Sequence, residues 1–138
     1  MLRPFLDANI LFSAAYLERS GMKGLWKLSD VELVTSHYAV EEAGRNLPLK
    51  SQKADLQDLL NRVDIVCIPA EETLFRDPHG LPEKDQPILW AAMDSQCSHL
   101  ITGDKHFGEL FDTEIEGVVV IQARDFISLH KSLSIKIE

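Results

Sequence analysis

The chain has 138 residues, long enough to bury a core, and we expect residues 1–138 to form a single domain. Its formal net charge of −8 disfavours a simple high-affinity binder of RNA or DNA, because such proteins usually carry a basic surface. No apolar run approaches the roughly 20 residues of a membrane span. Asp7 and Asn9 interrupt the stretch that suggests a signal peptide, so we expect a cytoplasmic protein without membrane contact.

Short apolar runs alternate with helical patterns along the chain. The runs predict strands, and the spacing of apolar residues between them predicts helices. In chain order we expect strands at residues 4–7, 32–35, 63–68, 99–102 and 118–121, and helices at residues 10–17, 22–28, 38–47, 52–62 and 85–96. This alternation favours an α/β fold whose central, mostly parallel five-stranded sheet is covered on both faces. A loop before the last of these helices is indicated by Pro69, Pro78, Gly80 and Pro82.

Asp7 ends the first apolar run, directly after Phe5 and Leu6. A carboxylate at the end of a buried strand lies at the rim of the sheet, where open α/β folds build their sites. It is costly to desolvate without a cation or hydrogen-bond donors. Asp7 therefore has two interpretations of similar weight, as the N-cap of the next helix and as a ligand in an acidic metal site.

Glu42 lies beside a second acid, Glu41, in the helix that follows the second strand. Glu41 can pair with Arg45 four residues later, which is typical of a solvated surface. Glu42 follows Ala39 by three residues and precedes Ala43, so it turns toward the apolar face of the helix. Glu42 is therefore the better candidate for an inward carboxylate, although a charged helix flank is the commoner role for either residue.

Asp85 lies two residues before Pro87. Proline is tolerated only in the first turn of a helix, so this helix begins close to Asp85. A position at or beside the N-cap is a sufficient structural role for an aspartate. A helix N-terminus at the carboxyl edge of a sheet is also a natural place to bind phosphate.

Asp104 repeats the pattern of Asp7, with a strand, then a carboxylate, then the start of a short helix. Gly103 is expected to let the backbone turn tightly as it leaves the strand. A single aspartate here would more often be a helix cap. Two acids at strand ends and two on helices are harder to explain separately, so we interpret the four as one cluster.

An acidic cluster of this kind has a specific chemistry. Mg²⁺ and Mn²⁺ prefer carboxylate and water oxygens. Such ions can lower the pKa of a water molecule, orient it and neutralise charge on a phosphodiester. Lys105 or Arg45 could add a phosphate contact. The histidines His37, His79, His99 and His106 form no HxH or HExxH pattern, and Cys67 and Cys97 form no CxxC pattern, so no zinc site is predicted.

At these residues the chain resembles the PIN domain family, the metal-dependent ribonuclease fold of many bacterial toxins. The resemblance extends over nearly the whole chain, in segments 5–11, 35–47, 84–92, 100–107, 117–121 and 125–126. It implies a three-layer α/β/α domain that uses Mg²⁺ or Mn²⁺ to cleave RNA endonucleolytically. It also implies that the metal and catalytic roles fall to Asp7, Glu42, Asp85 and Asp104.

The resemblance has one departure and two further implications. Many members have another acid or asparagine shortly after the fourth motif acid, where this chain has Lys105, His106 and Phe107. The missing acid or asparagine bears on whether a second metal ion binds, and not on the first metal position. Many single-domain bacterial members are toxins that pair with a small antitoxin protein and form homodimers, so both partners are expectations here.

Two other interpretations remain open at this level. A non-catalytic PIN-like module that binds RNA or a protein is favoured by the charge of −8 and by the missing follow-on acid. A phospho-accepting signalling domain has a similar length and an aspartate at a strand end. Such a domain would normally have an adjacent acid pair near the first strand and a lysine at a late strand end, and neither is apparent.

Overall fold

The computed structural model describes residues 1–68 and 76–137, with side chains up to residue 135. The described strands form one six-stranded sheet, with β1 at Pro4–Leu6, β2 at Val34–Ser36, β3 at Asp64–Val66, β4 at His99–Ile101, β5 at Glu114–Ile115 and β6 at Val118–Ile121. The order across the sheet is β3-β2-β1-β4-β6-β5. All neighbours are parallel except β5 and β6, which are antiparallel. The predicted mostly parallel α/β fold is therefore confirmed, with β5 as an additional short strand.

Helices connect the strands. They are α1 at Ala8–Tyr16, α2 at His37–Asn46, α3 at Lys50–Leu60, α4 at Gln86–Asp94 and α5 at Ala123–Ile137, with 3₁₀ helices at Gly21–Lys27 and Lys105–Leu110. The helix predicted at 22–28 is thus a 3₁₀ helix; its two glycines lower the propensity for a longer α-helix. Among the described residues no helix is long and apolar enough to span a membrane.

The core is built around β1 and β4, the two central strands of the sheet. Every residue of both strands is buried, including Phe5, Leu6, Leu100 and Ile101, none of which exposes any surface. A strand that is buried on both faces needs a continuously apolar sequence. This explains why β1 and residues 100 and 101 of β4 could be predicted from short apolar runs, although β4 begins with the buried polar residue His99.

The order of strands reverses between β1 and β4. The chain leaves β1 toward β2 on one side, whereas β4 lies on the other side and pairs with β6. Leu6 and Ile101 are partners in register, and the backbone N–H of Asp7 donates to the Ile101 carbonyl at 3.1 Å. Open α/β sheets bind ligands outside the carboxyl ends of strands at such a point. Residues 7 and 102–104 therefore leave the sheet side by side where a site is expected.

Two elements were not predicted from the sequence. Strand β5 has only two residues and turns back to β6 through Glu116 and Gly117, which have φ values of 48° and 91°. Helix α5 buries Ala123 and Phe126 and half-buries Ile127. This spacing fits one face of a helix. Of the residues expected to form the loop before α4, Pro69 lies outside the described part of the chain.

Candidate metal centre

Asp7 combines the two roles that the sequence left open. Its Oδ1 caps α1 by accepting a hydrogen bond from the Ala8 N–H at 2.6 Å. Its Oδ2 accepts from the Thr102 hydroxyl at 2.7 Å and from the Asn9 amide at 3.2 Å. Only 3% of the residue is exposed, and burial raises the pKa of the Asp7 carboxyl from 3.8 to about 6 in spite of the hydrogen bonds. The hydrogen bonds that cap α1 therefore do not fully stabilise the charged form of Asp7, and a nearby cation would stabilise it further.

Asp104 is held close to Asp7 by the residues that follow β4. The Asp104 N–H donates to the Thr102 hydroxyl oxygen at 3.0 Å, and Asp104 Oδ1 caps the second 3₁₀ helix by accepting from the His106 N–H at 2.9 Å. The Gly103 N–H donates to Asn9 Oδ1 at 2.9 Å. These bonds form a small network that sets the relative position of the two strand-end acids.

The structure does not support the expected role of Gly103 in a tight backbone turn after β4. Its φ does not lie in the left-handed region, and a Cβ added there would meet Asn9 Oδ1 at 3.6 Å, an ordinary contact. Glycine is therefore not required for the turn after β4. The contribution of Gly103 is its backbone N–H, which orients Asn9.

Asp85 occupies the N-cap position of α4, yet its side chain makes no capping hydrogen bond. Pro87 in the first turn is consistent with the helix start. The residue is 6% exposed, and its Oδ2 lies 3.0 Å from Nδ1 of His106. Burial and then the charge of Asp104 raise the pKa of the Asp85 carboxyl, while His106 lowers it. The capping role proposed from the sequence is therefore wrong for this side chain, which faces the other acids instead.

The two neighbouring glutamates of α2 point in different directions. Glu42 is half-buried and lines the same cavity as Asp7. Glu41 is exposed and lines a separate groove with Arg45 and Lys53. The charge of Glu42 contributes to the raised pKa of Asp7. Glu42 rather than Glu41 therefore shares the electrostatic environment of the strand-end acids.

A cavity of about 290 Å³ brings all four acids together at the carboxyl edge of the sheet. Its lining residues are Asp7, Ala8, Asn9, Phe12, Glu42, Asn46, Asp85 and Asp104. Within the described part of the chain no lysine or arginine lines it. The phosphate contacts considered for Lys105 and Arg45 thus have no counterpart in the cavity wall, and the wall is strongly acidic.

His106 is the residue of the site that sequence reasoning missed. Its Nδ1 lies 3.0 Å from Asp85 Oδ2 and 3.1 Å from Asp104 Oδ1. One donor atom from each of these three residues lies within 4.8 Å of the other two, so the three could hold a metal ion. The available signal was the Asp-x-His spacing of residues 104 and 106, which matches the Asp-x-Asn spacing of residues 7 and 9.

The donor set fits a divalent cation. Carboxylate oxygens are preferred by Mg²⁺ and Mn²⁺, and an imidazole nitrogen is a common ligand of transition-metal ions. The carboxylates that line this cavity repel each other, which is one reason why the pKa values of Asp7 and Asp85 are raised. A dication would remove that repulsion. Asp7 and Glu42 are outside the group of three but line the same cavity as Asp85 and Asp104.

Comparison with known proteins identifies the fold. No family model matches the sequence, and no curated protein matches it. A chain from the crystal structure of VapBC2 from Rickettsia felis bound to a DNA fragment from their promoter is similar in fold, with a TM-score of 0.63 and 14% identity. The match covers 86% of this chain and 97% of that chain. At this identity the likeness concerns the fold alone, which is PIN-like.

Proposed function

We propose that this chain is a PIN-domain endoribonuclease that depends on Mg²⁺ or Mn²⁺ and hydrolyses phosphodiester bonds of RNA. The observation that carries the proposal is the single cavity lined by Asp7, Glu42, Asp85 and Asp104. Its place where the strand order reverses, and the PIN-like fold, support the same function.

Each of the four acids has a role in this proposal. Asp7, Glu42, Asp85 and Asp104 would hold the metal or position its water. A bound divalent ion supplies a water of lowered pKa and neutralises charge on the phosphodiester. Thr102 and Asn9 hold the Asp7 carboxylate in one orientation through their hydrogen bonds. No carboxylate acts as a nucleophile.

The acidity of the cavity bears on how RNA binds. With four acids and no lysine or arginine among the described lining residues, the wall repels phosphate when no cation is present. RNA binding close to the site is therefore expected to require the divalent ion. This reconciles a net charge of −8 with a nucleic-acid substrate, because the ion supplies the positive charge locally.

The proposal includes partners. The structure similar in fold is named as VapBC2 with promoter DNA. On that basis we propose that this chain is the toxin of a toxin–antitoxin pair and that a small antitoxin protein binds it. We propose further, from the sequence and its family resemblance, that it acts in the cytoplasm as a homodimer. Copurification with the product of a neighbouring open reading frame, followed by measurement of the mass of the complex, tests this part separately from the nuclease activity.

The nuclease proposal is tested with purified protein free of any antitoxin. RNA cleavage with Mn²⁺ is compared between the wild type, Asp104→Asn and Asp112→Asn. Asp104→Asn should lose at least about 100-fold in rate, because it weakens the ligand set while preserving the size of the side chain. Asp112 is an exposed residue with φ of 63°, a conformation that asparagine tolerates, so Asp112→Asn should behave like the wild type.

Two outcomes would contradict the nuclease proposal. If the wild type cleaves no RNA with Mn²⁺ and binds no divalent ion by calorimetry, the enzyme proposal fails. If it binds RNA without cleaving it, and Asp104→Asn binds equally well, the non-catalytic binding module becomes the better explanation. The charge of −8 is the observation that favours this second candidate.

A further inference from the structure

We infer that His106 supplies an imidazole nitrogen to the metal held by Asp85 and Asp104, so that this site selects Mn²⁺ or a similar transition-metal ion over Mg²⁺. The inference rests on the proposed metal site and specifies its ligands and its selectivity. Three kinds of observation carry it, namely the spacing of the donor atoms, the unused capping position of Asp85 and the way in which the backbone places the imidazole ring.

The first observation is the spacing of the donor atoms. Adjacent ligands of an octahedral ion with bonds of about 2.1 Å lie roughly 3.0 Å apart. His106 Nδ1 lies 3.0 Å from Asp85 Oδ2 and 3.1 Å from Asp104 Oδ1. The nitrogen and each oxygen are thus already at the separation that neighbouring positions of one coordination sphere require.

The second observation concerns Asp85. A helix N-cap aspartate normally accepts a hydrogen bond from the first turn, but the Asp85 side chain makes none. The carboxylate is instead buried and directed to His106. Because the carboxylate accepts no hydrogen bond from α4, its orientation toward His106 and Asp104 serves the cluster of donor atoms rather than the end of the helix.

The third observation is how His106 is placed. Its backbone N–H is fixed by Asp104 Oδ1 at 2.9 Å, at the start of the second 3₁₀ helix. From this backbone position the imidazole ring places Nδ1 close to the carboxylates of Asp85 and Asp104. The side chain is 42% exposed, so the ring remains accessible to an ion that enters from solvent.

The nature of the donor predicts the selectivity. Mg²⁺ is a hard ion that prefers oxygen ligands and retains several waters. Imidazole suits transition-metal ions, which bind nitrogen more readily than Mg²⁺ does. A site with two carboxylates and one imidazole should therefore favour Mn²⁺ over Mg²⁺ more strongly than a site of the same shape with oxygen ligands alone.

A competing explanation assigns His106 a different role. A protonated imidazole between two carboxylates can substitute for the metal as a counter-ion. In that case the ring must move away when a cation enters. The two explanations differ in whether a nitrogen atom is bonded to the bound ion, which is directly measurable.

The test is electron spin echo envelope modulation spectroscopy of the full-length protein loaded with Mn²⁺. The wild type should show ¹⁴N modulation from a directly bound imidazole, and His106→Gln should lose it. His130→Gln is the matched control, because His130 lies on α5 and contacts the Ser29 carbonyl instead. By calorimetry, His106→Gln should weaken Mn²⁺ binding by about 10-fold or more and Mg²⁺ binding by less than about 3-fold.

The outcomes separate this inference from the proposed function. Mn²⁺ that binds the wild type without ¹⁴N modulation, or modulation that persists in His106→Gln, overturns the role of His106 and leaves the metal site in place. Failure of the wild type to bind any Mn²⁺ overturns both. Thermal unfolding of metal-free His106→Gln verifies that the variant is folded, and His106→Ala provides a second variant if it is not.

Discussion

The hydroxyl of Thr102 donates a hydrogen bond of 2.7 Å to Asp7, and the same oxygen accepts one of 3.0 Å from the backbone N–H of Asp104. One side chain thereby links the two acids that end the central strands. Thr102 exposes no surface, so water cannot easily replace it. We conclude that the distance between Asp7 and Asp104 is set by Thr102 as well as by the sheet.

Thr102→Val is expected to destabilise the protein by about 1–3 kcal/mol, because it leaves the Asp104 N–H without its acceptor and Asp7 Oδ2 with only its hydrogen bond from Asn9. Mn²⁺ affinity should fall by roughly 10-fold, as for other groups that orient a ligand. Urea unfolding and calorimetry measure the two effects. Thr102→Ser retains the hydroxyl and should restore most of the affinity. Equal Mn²⁺ binding by Thr102→Val and the wild type would show that the hydroxyl does not position Asp7.

The raised pKa of Asp7 predicts a pH dependence of stability for the metal-free protein. Because the pKa is about 6 in the folded state and 3.8 ordinarily, the folded protein binds this proton more tightly than the unfolded chain. The free energy of unfolding should therefore rise as pH falls from about 7 toward 4. The full contribution of Asp7 is about 3 kcal/mol and is lost as pH rises through about 6.

Asp7→Asn isolates that contribution, because the pKa of Asp85 is raised as well and adds to the wild-type curve. Urea unfolding in the presence of a chelator, at several values between pH 5 and 8, should show a weaker pH dependence for Asp7→Asn than for the wild type. Asp112→Asn should retain the wild-type curve. If the free energy of unfolding depends on pH in the same way for Asp7→Asn and the wild type, Asp7 is not the group responsible for that dependence.

The neighbouring glutamates of α2 provide a matched pair of variants. Glu42→Gln should lose Mn²⁺ affinity and at least about 100-fold in RNA cleavage, because Glu42 lines the cavity. Glu41→Gln should change neither by more than about twofold, because Glu41 is exposed and lies at another groove. Both variants keep the helix and differ only in the face that they alter. Similar losses in the two variants would contradict the orientation of Glu42.

Asp85 and Asp104 should differ in what they contribute to metal-free stability. Asp104 caps a helix with its side chain and Asp85 does not. Asp104→Ala is therefore expected to cost about 1 kcal/mol more than Asp85→Ala. Differential scanning calorimetry without metal measures this difference. With Mn²⁺ present, the wild type should gain thermal stability as the ion concentration increases, and both variants should lose that gain. If Asp85→Ala costs more stability than Asp104→Ala without metal, Asp85 does stabilise the start of α4, contrary to the prediction.

The parts of the fold that could be predicted from the sequence are those with a strong local pattern. Strand β1 is continuously apolar and β4 is apolar apart from His99, because both strands are buried on both faces. Strand β5 has two residues, too few to show any alternation. Helix α5 buries Ala123 and Phe126 and has an apolar face, so the sequence carried a helical signal that the prediction did not use. Strand β5 owes its structure to its pairing with β6 more than to local propensity.

For the site, the sequence indicated the acids but not the groups that orient them. Asp7 and Asp104 could be recognised because each follows an apolar run at a strand end. His106 could not be recognised in the same way, because its partner Asp85 is 21 residues away and is brought to it by the fold. Thr102 and Asn9 were likewise missed, because their hydrogen bonds to Asp7 become apparent only in the folded structure.

The hydrogen bond from Thr102 to Asp7 joins residues that are 95 positions apart. Strand β1 is synthesised before β4, its neighbour in the sheet. Until Asp104 has been added, Asp7 therefore lies at the edge of an incomplete sheet, and the cavity has not yet formed. If the protein cleaves RNA, a nascent chain without Asp104 should not do so, because it lacks one of the four acids that line the cavity.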